Sequence, residues 1–237
     1  MAQSDFSFLT NVAPTNVIAR GVIYGQVTPN GGEDFVFGFN SLSNTEGAVA
    51  LHINAVGFNP TDSGGSIRGA IKRATSGGDD GFSTFLFIGL SGNDVDDEGY
   101  LLGLDNDEPA NIILRKGLIS EGLPPNAPGD PATLGTLRRS VDAFDQDRWV
   151  HLRLDMIVNG TGDVILQCFR SDLDDNPITA PVWEAISGMD EFVDDALGIT
   201  TGSVPFVLGR MGFGFHSSAS ARRAFIDGIQ GFAQVPA

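Results

Sequence analysis

An all-β sandwich of two antiparallel sheets is the fold class this sequence predicts, and three observations predict it. Apolar residues recur with period two through several segments, glycine and proline interrupt the chain at short intervals, and helix-favouring runs of Ala, Leu, Glu and Lys are missing. The 31 glycines and 12 prolines supply turns, while 17 phenylalanines against two tryptophans and two tyrosines supply a Phe-built core. A chain of 237 residues with 41% hydrophobic content can bury a sizeable core, and sandwiches of this length often form one domain. No repeat, low-complexity tract or composition shift divides it, so 1–237 reads as a single domain.

Along the chain, residues 1–20 read as an N-terminal arm or edge strand. In VALHINAV, Val49, Leu51, Ile53 and Ala55 share one face while His52 and Asn54 take the other. GFSTFLFIGLSG (Gly81–Gly92) is almost continuously apolar, as a strand buried on both faces would be. GYLLGLDND then runs toward ANIILRKG, where Gly117 ends a strand. DRWVHLRLDMIVNGTGDVILQCFR is the clearest hairpin. Val150, Leu152, Leu154 and Met156 alternate with His151, Arg153 and Asp155, Asn159–Gly162 turns the chain, and Val164, Leu166 and Cys168 return on one face. Near the end, RMGFGFHSS sets Met211, Phe213 and Phe215 against Gly212 and Gly214, and RRAFIDGIQGF closes the chain. Two stretches break this rhythm. Residues 119–148, with LPPNAPGDPATLG, read as a long Pro/Gly loop, and 171–205 as a second excursion in which PVWEAISGMDEFVDDALG forms one or two short helical turns.

Charge and motifs exclude several function classes. A net charge of −16, from 30 acids against 14 bases, repels phosphate backbones and anionic bilayers, so nucleic acid and membranes are poor partners. No apolar run approaches the ~18 residues a spanning helix needs. The N-terminal segment has neither a basic nor an apolar signal region, and a lone Cys168 makes no internal disulfide, which together predict synthesis without secretion. GxxxxGK[ST], HExxH, CxxC and GxSxG are all absent.

The tandem of DRWVHLRLDMIVNGTGDVILQCF, a Trp-containing excursion, and VLGRMGFGFHSSASARRAFIDGIQGF resembles concanavalin A-like jelly rolls of the laminin-G type. The shared features are a Trp-x-His strand paired through a Gly turn, a late glycine-interleaved Phe strand, and a closing strand carrying Asp227. The resemblance implies two stacked antiparallel sheets, one concave, with ligands met on the concave face or at rim loops, and calcium common at such rims. Polysaccharide-cleaving members often carry a Glu-x-Asp-x-Glu strand. This chain has none, which argues against a glycoside hydrolase and for a protein that is not an enzyme.

Candidate sites follow. Asp94, Asp96, Glu98, Gly99 and Asp105 match positions one, three, five, six and twelve of a calcium loop. The flanks read as strands and position twelve is a short Asp, leaving a smaller loop site of Asp94, Asp96 and Asp97 for Ca2+, or a solvated acidic hairpin turn. Trp183 reads as a sugar-stacking platform, an interface anchor or a pin for its excursion. Arg210, Gly212, Gly214 and His216 read as a ligand or partner surface, or as relief of crowding where sheets curve. The row His151, Arg153 and Asp155 reads as the polar face of a strand, and Cys168 as an inert core residue.

The expectation is a structural or surface protein of an assembled particle, a bacteriophage virion component such as a capsid decoration or tail accessory protein. Such a protein would be made in the host cytoplasm and contact other subunits. The alternative is a lectin-like module binding host or environmental glycan, with or without calcium.

Overall fold

The computed structural model describes residues 3–5, 17–20, 23–27, 36–40, 47–52, 64–74, 82–90, 98–104, 110–118, 136–144, 148–172, 180–207, 209–217, 223–232 and 235. In chain order the strands are β1 Gln3–Asp5, β2 Val17–Arg20, β3 Ile23–Val27, β4 Val36–Asn40, β5 Gly47–His52, β6 Gly65–Ala74, β7 Phe82–Leu90 and β8 Glu98–Leu104. They continue as β9 Ala110–Leu118, β10 Thr136–Phe144, β11 Trp149–Val158, β12 Val164–Asp172, β13 Glu184–Ala185, β14 Phe192–Asp194, β15 Arg210–Ser217 and β16 Arg223–Phe232. Among the described residues they form two antiparallel sheets. One runs β13-β12-β11-β6-β16-β4-β3, with β1 on β16 and β14 on β12, and is nine-stranded; the other runs β10-β9-β8-β7-β15-β5-β2 and is seven-stranded. The all-β class is as the sequence predicts.

The predicted hairpin is present with unbroken register from Val150 opposite Asp172 to Val158 opposite Val164. Its turn is closed by Asn159, whose Oδ1 accepts from the Thr161 and Asp163 amides at 3.0 Å each, and by Gly162 at φ +87°. The alternation in β11 and β12 sends Val150, Leu152, Leu154, Met156, Val164, Leu166 and Cys168 inward. There they join Ile67 and Ile71 of β6 and, from the facing sheet, Leu86, Ile88, Leu102, Leu114 and Phe213 in one core. Each fully buried Leu, Ile or Phe contributes about 1.5–3 kcal/mol, so this interface is the main stabilising element. The continuously apolar β7 is buried on both faces as expected. Phe85 and Phe87, which point away from that core, are as completely covered as Leu86 and Ile88, and Leu101 and Ile113 beside them are covered as well.

Two excursions differ from expectation. The segment 119–148, read as loop, carries β10, the edge strand of the seven-stranded sheet. Its pairing with β9 is interrupted twice, between Thr136 and Arg138 and between Arg139 and Ala143, and irregularities of this kind erase the period-two signal that sequence reading relies on. Within 171–205 the described residues form turns and the short strands β13 and β14 in place of helical turns. Ile186, Met189 and Phe192 do recur at helical spacing and are buried, but their backbone serves the sheet. The Ile186 amide donates to the Cys168 carbonyl at 2.9 Å and the Cys168 amide to the Met189 carbonyl at 2.9 Å, while Gly188 turns the chain at φ +78°. At the N-terminus, β2 forms an edge of the seven-stranded sheet.

Candidate functional site

The outward face of the nine-stranded sheet concentrates chemistry that the rest of the described surface lacks in one place. Alternation in RWVHLRLDM turns Trp149, His151, Arg153 and Asp155 outward, and the same period in GSIRGAIK does so for Ser66, Arg68 and Lys72. Antiparallel register then aligns them. Arg153 lies opposite Arg68 on one side and Phe169 on the other, and Arg68 lies opposite Gln230. A single cross-strand row therefore reads Gln230, Arg68, Arg153, Phe169, with Phe232, Ser66, Asp155 and Gln167 forming the next.

Each charged group in these rows is fixed. Arg153 donates from Nε and Nη2 to the two oxygens of Asp155 at 2.8 and 2.6 Å, and the Ser66 hydroxyl donates to Asp155 Oδ1. Asp155 is only 1% exposed, so this bidentate pairing is what allows its charge to be buried. Arg68 donates from Nε and Nη2 to the amide oxygen of Gln230 at 2.8 and 2.6 Å. Arg68 stacks over the Phe232 ring at 4.9 Å and Arg153 over the Phe169 ring at 5.0 Å, while the Lys72 ammonium sits 5.9 Å from the Trp149 centroid. Burial, and next the charge of Arg153, pull Arg68 below the ordinary guanidinium value, with Asp155 pulling it back.

Trp183 is brought onto this face by β13, which pairs with Phe169 and Arg170, and by the Val182 amide donating to the Ser171 hydroxyl at 3.0 Å. Its ring lies 6.1 Å from the His151 ring at an interplanar angle of 34°. A half-buried Trp beside His151, on the face that carries the arginine rows, can stack on the apolar side of a sugar ring while polar groups elsewhere on that face hydrogen-bond its hydroxyls.

A second polar cluster lies inside the sandwich. Lys116 of β9 faces inward and donates to Asp194 Oδ2 at 2.7 Å, to the Thr201 hydroxyl at 2.9 Å, and to the carbonyls of Ser203 and Val204 at 2.8 and 2.9 Å. Tyr100 donates to the same Asp194 oxygen at 2.6 Å and accepts from the Phe206 amide at 3.1 Å. Burial first, then the hydrogen bond to Asp194, raise the Tyr100 phenol far above its ordinary value, so it stays a donor. The node satisfies a fully buried carboxylate and pins 194–206 across both sheets.

Among the described residues, those singled out in the sequence do not converge on one face. Asp94, Asp96 and Asp97 lie outside the described residues, as does the side chain of His216. Among the described residues no group of three His, Cys, Asp or Glu is arranged to hold a metal ion. Arg210 begins β15 on the seven-stranded sheet, and Gly212 and Gly214 are buried in that strand opposite Phe87 and Phe85, where absent side chains leave room for the two rings. Trp183 lies on the other sheet, beside His151. Arg68, Gln230 and Phe169 were missed by sequence reading. The alternating polar positions of SIRGAIK carried a signal for Arg68, but nothing local marks its partner 162 positions away.

No protein-family profile matches the chain, and no curated protein matches it in sequence. Solved structures do match in fold. The marine PL-14 alginate lyase from Aplysia kurodai is 12% identical with a TM-score of 0.54, over 92% of this chain and 90% of that one. Lectin II from Ulex europaeus is 11% identical with a TM-score of 0.51, over 99% of each chain. The metal-free carbohydrate recognition domain of Emp46p is 15% identical with a TM-score of 0.50, over 93% of this chain and 89% of that one. The fold is thus the concanavalin A-like jelly roll, as the sequence resemblance implies.

Proposed function

We propose that this chain is a non-enzymatic glycan-binding protein, and that the outward face of the nine-stranded sheet around Trp183, Arg68 and Arg153 contacts the sugar. The observation that carries the reading is the fixed row Gln230, Arg68, Arg153 and Phe169 beside the Trp183–His151 pair. Stacking platforms bordered by immobilised donors suit saccharides, because little side-chain entropy remains to be lost on binding. The lectin and the carbohydrate recognition domain among the fold relatives accord with it. The buried carboxylates accord with a non-catalytic role: Asp155 and Asp194 are each bound by a cation and stand on different faces of the sheets, where neither serves the other as acid and nucleophile.

A glycan array with the intact chain tests this reading. Binding to a defined set of glycans is expected, and Trp183→Ala should weaken it at least tenfold while leaving the far-UV circular dichroism unchanged. An array with no bound glycan overturns the reading, as does release of reducing ends from the bound polysaccharide for its non-enzymatic part.

We further propose that the module is displayed on an assembled particle such as a bacteriophage virion, made in the host cytoplasm. One observation favours a packed setting: Leu197, Ile199 and Val204 are 80%, 79% and 64% exposed on a segment that the buried Lys116–Asp194 pair holds in place. Large apolar side chains presented on a fixed backbone suit a contact with another subunit.

A further inference from the structure

Resting on the glycan-binding reading above, we infer that this face selects sugars bearing a carboxylate, that is uronic acids, and that Arg68 makes the selective contact. In a chain with net charge −16 and 14 bases, two arginines stand directly opposite each other across β6 and β11. Like charges in that position destabilise a sheet, so their pairing needs a compensating anion. Among the described side chains Asp155 is the carboxylate on these rows, and Arg153 holds both of its oxygens.

Arg68 is held instead by a neutral group. Its Nε and Nη2 share the Gln230 oxygen, which orients the guanidinium without neutralising it and leaves Nη1 without a partner among the described residues. Asp5 occupies the register position beyond Gln230 on β1, about 10 Å from β6 across two strand spacings, and Asp227 lies opposite Ala70. Neither position is directly opposite Arg68. The Phe232 ring lies beneath Arg68, its centroid 4.9 Å from the guanidinium carbon. A carboxylate is planar and accepts two parallel N–H bonds from such a fork, so an acidic saccharide long enough to cross the strands from Trp183 to β6 would meet a cation already oriented for it.

The experiment compares the chain's binding to a hexamer of a (1→4)-linked uronic acid, to the same hexamer after carboxyl reduction, and to a sulfated neutral hexamer, at two salt concentrations. The expected result is at least tenfold tighter binding of the uronic acid hexamer than of its reduced form, weakening as salt rises. Arg68→Met should abolish that preference, so that the acidic and reduced hexamers bind alike, and Arg68→Lys, which keeps the charge and loses the fork, should retain part of it. Equal binding of the acidic and reduced hexamers overturns the inference and leaves the glycan-binding reading intact. Preference for the sulfated hexamer over the uronic acid also overturns it, and failure to bind any glycan overturns both. If Arg68→Met fails to fold, the Arg68→Lys variant and the comparison of hexamers on the unaltered chain still decide the matter.

Discussion

Lys116 is the residue on which the interior depends most. The residue is 7% exposed and its ammonium has four oxygen partners, among them a carboxylate with no exposure at all. Removing one member of a buried ion pair leaves the other charge uncompensated, which costs about 3–5 kcal/mol. Lys116→Met is therefore expected to lower the unfolding free energy by about that amount in a urea titration. Lys116→Met combined with Asp194→Asn should recover part of the loss, since the stranded charge is removed with its partner. The carboxylate described on the outward face obeys the same rule, since Asp155 is buried where Arg153 and Ser66 satisfy it. These roles were not legible in the sequence. Tyr100 and Asp194 are 94 positions apart, and a lysine in ANIILRKGL reads as the solvated end of a strand.

At the scale of elements, the segment after β14 shows how a loop with exposed apolar side chains keeps one conformation. The Asp195 carboxylate accepts from the amides of Leu197, Ile199 and Thr200 at 3.1, 3.0 and 2.6 Å, and the Gly198 amide closes onto the Asp195 carbonyl at 2.8 Å. Hydrogen bonds from the Thr200 side chain first, then from the Ile199 and Thr200 amides, depress the Asp195 carboxyl to about 2 from an ordinary 3.8. A depressed carboxyl contributes order that is complete above its unfolded value and is lost as pH falls through the folded one. The Ile199 and Thr200 amide resonances are thus expected to titrate together with a midpoint near 2, and Asp195→Asn should abolish that titration in an NMR pH series. The hairpin of β11 and β12 is the opposite case. Its alternation and its Asn-Gly-Thr-Gly turn are local properties, and they were read correctly from the sequence. Strand β10 was not, because its two register breaks displace side chains from strict alternation.

For the whole molecule, the two sheets enclose one core while the outward faces diverge in character. The seven-stranded sheet buries Phe85, Phe87, Leu101 and Ile113 on its outward side, and the nine-stranded sheet carries the arginine and aromatic rows. The exposed Leu197 and Ile199 add an apolar projection to a highly acidic chain. If that projection is a subunit contact, the purified chain is expected to self-associate as concentration rises, and Leu197→Ser with Ile199→Ser should hold it monomeric in light scattering without loss of thermal stability. A chain that stays monomeric to millimolar concentration would remove the support this surface gives to the assembled-particle reading.

What the sequence determined by itself was the facing of each strand. Period-two alternation decides inside from outside wherever the backbone is regular, and so it was enough for the β class, the central hairpin and the core placement of Cys168. Which outward residues become neighbours was decided by tertiary structure alone. Strand β6 sits between β11 and β16, elements distant from it and from each other in the chain, and that order sets Arg68 against Arg153 and Gln230. The same long-range packing brought Trp183 to His151 instead of to the glycines of β15. Local periodicity reports which face of the sheet a side chain takes, but it carries no information about which strand hydrogen-bonds beside it.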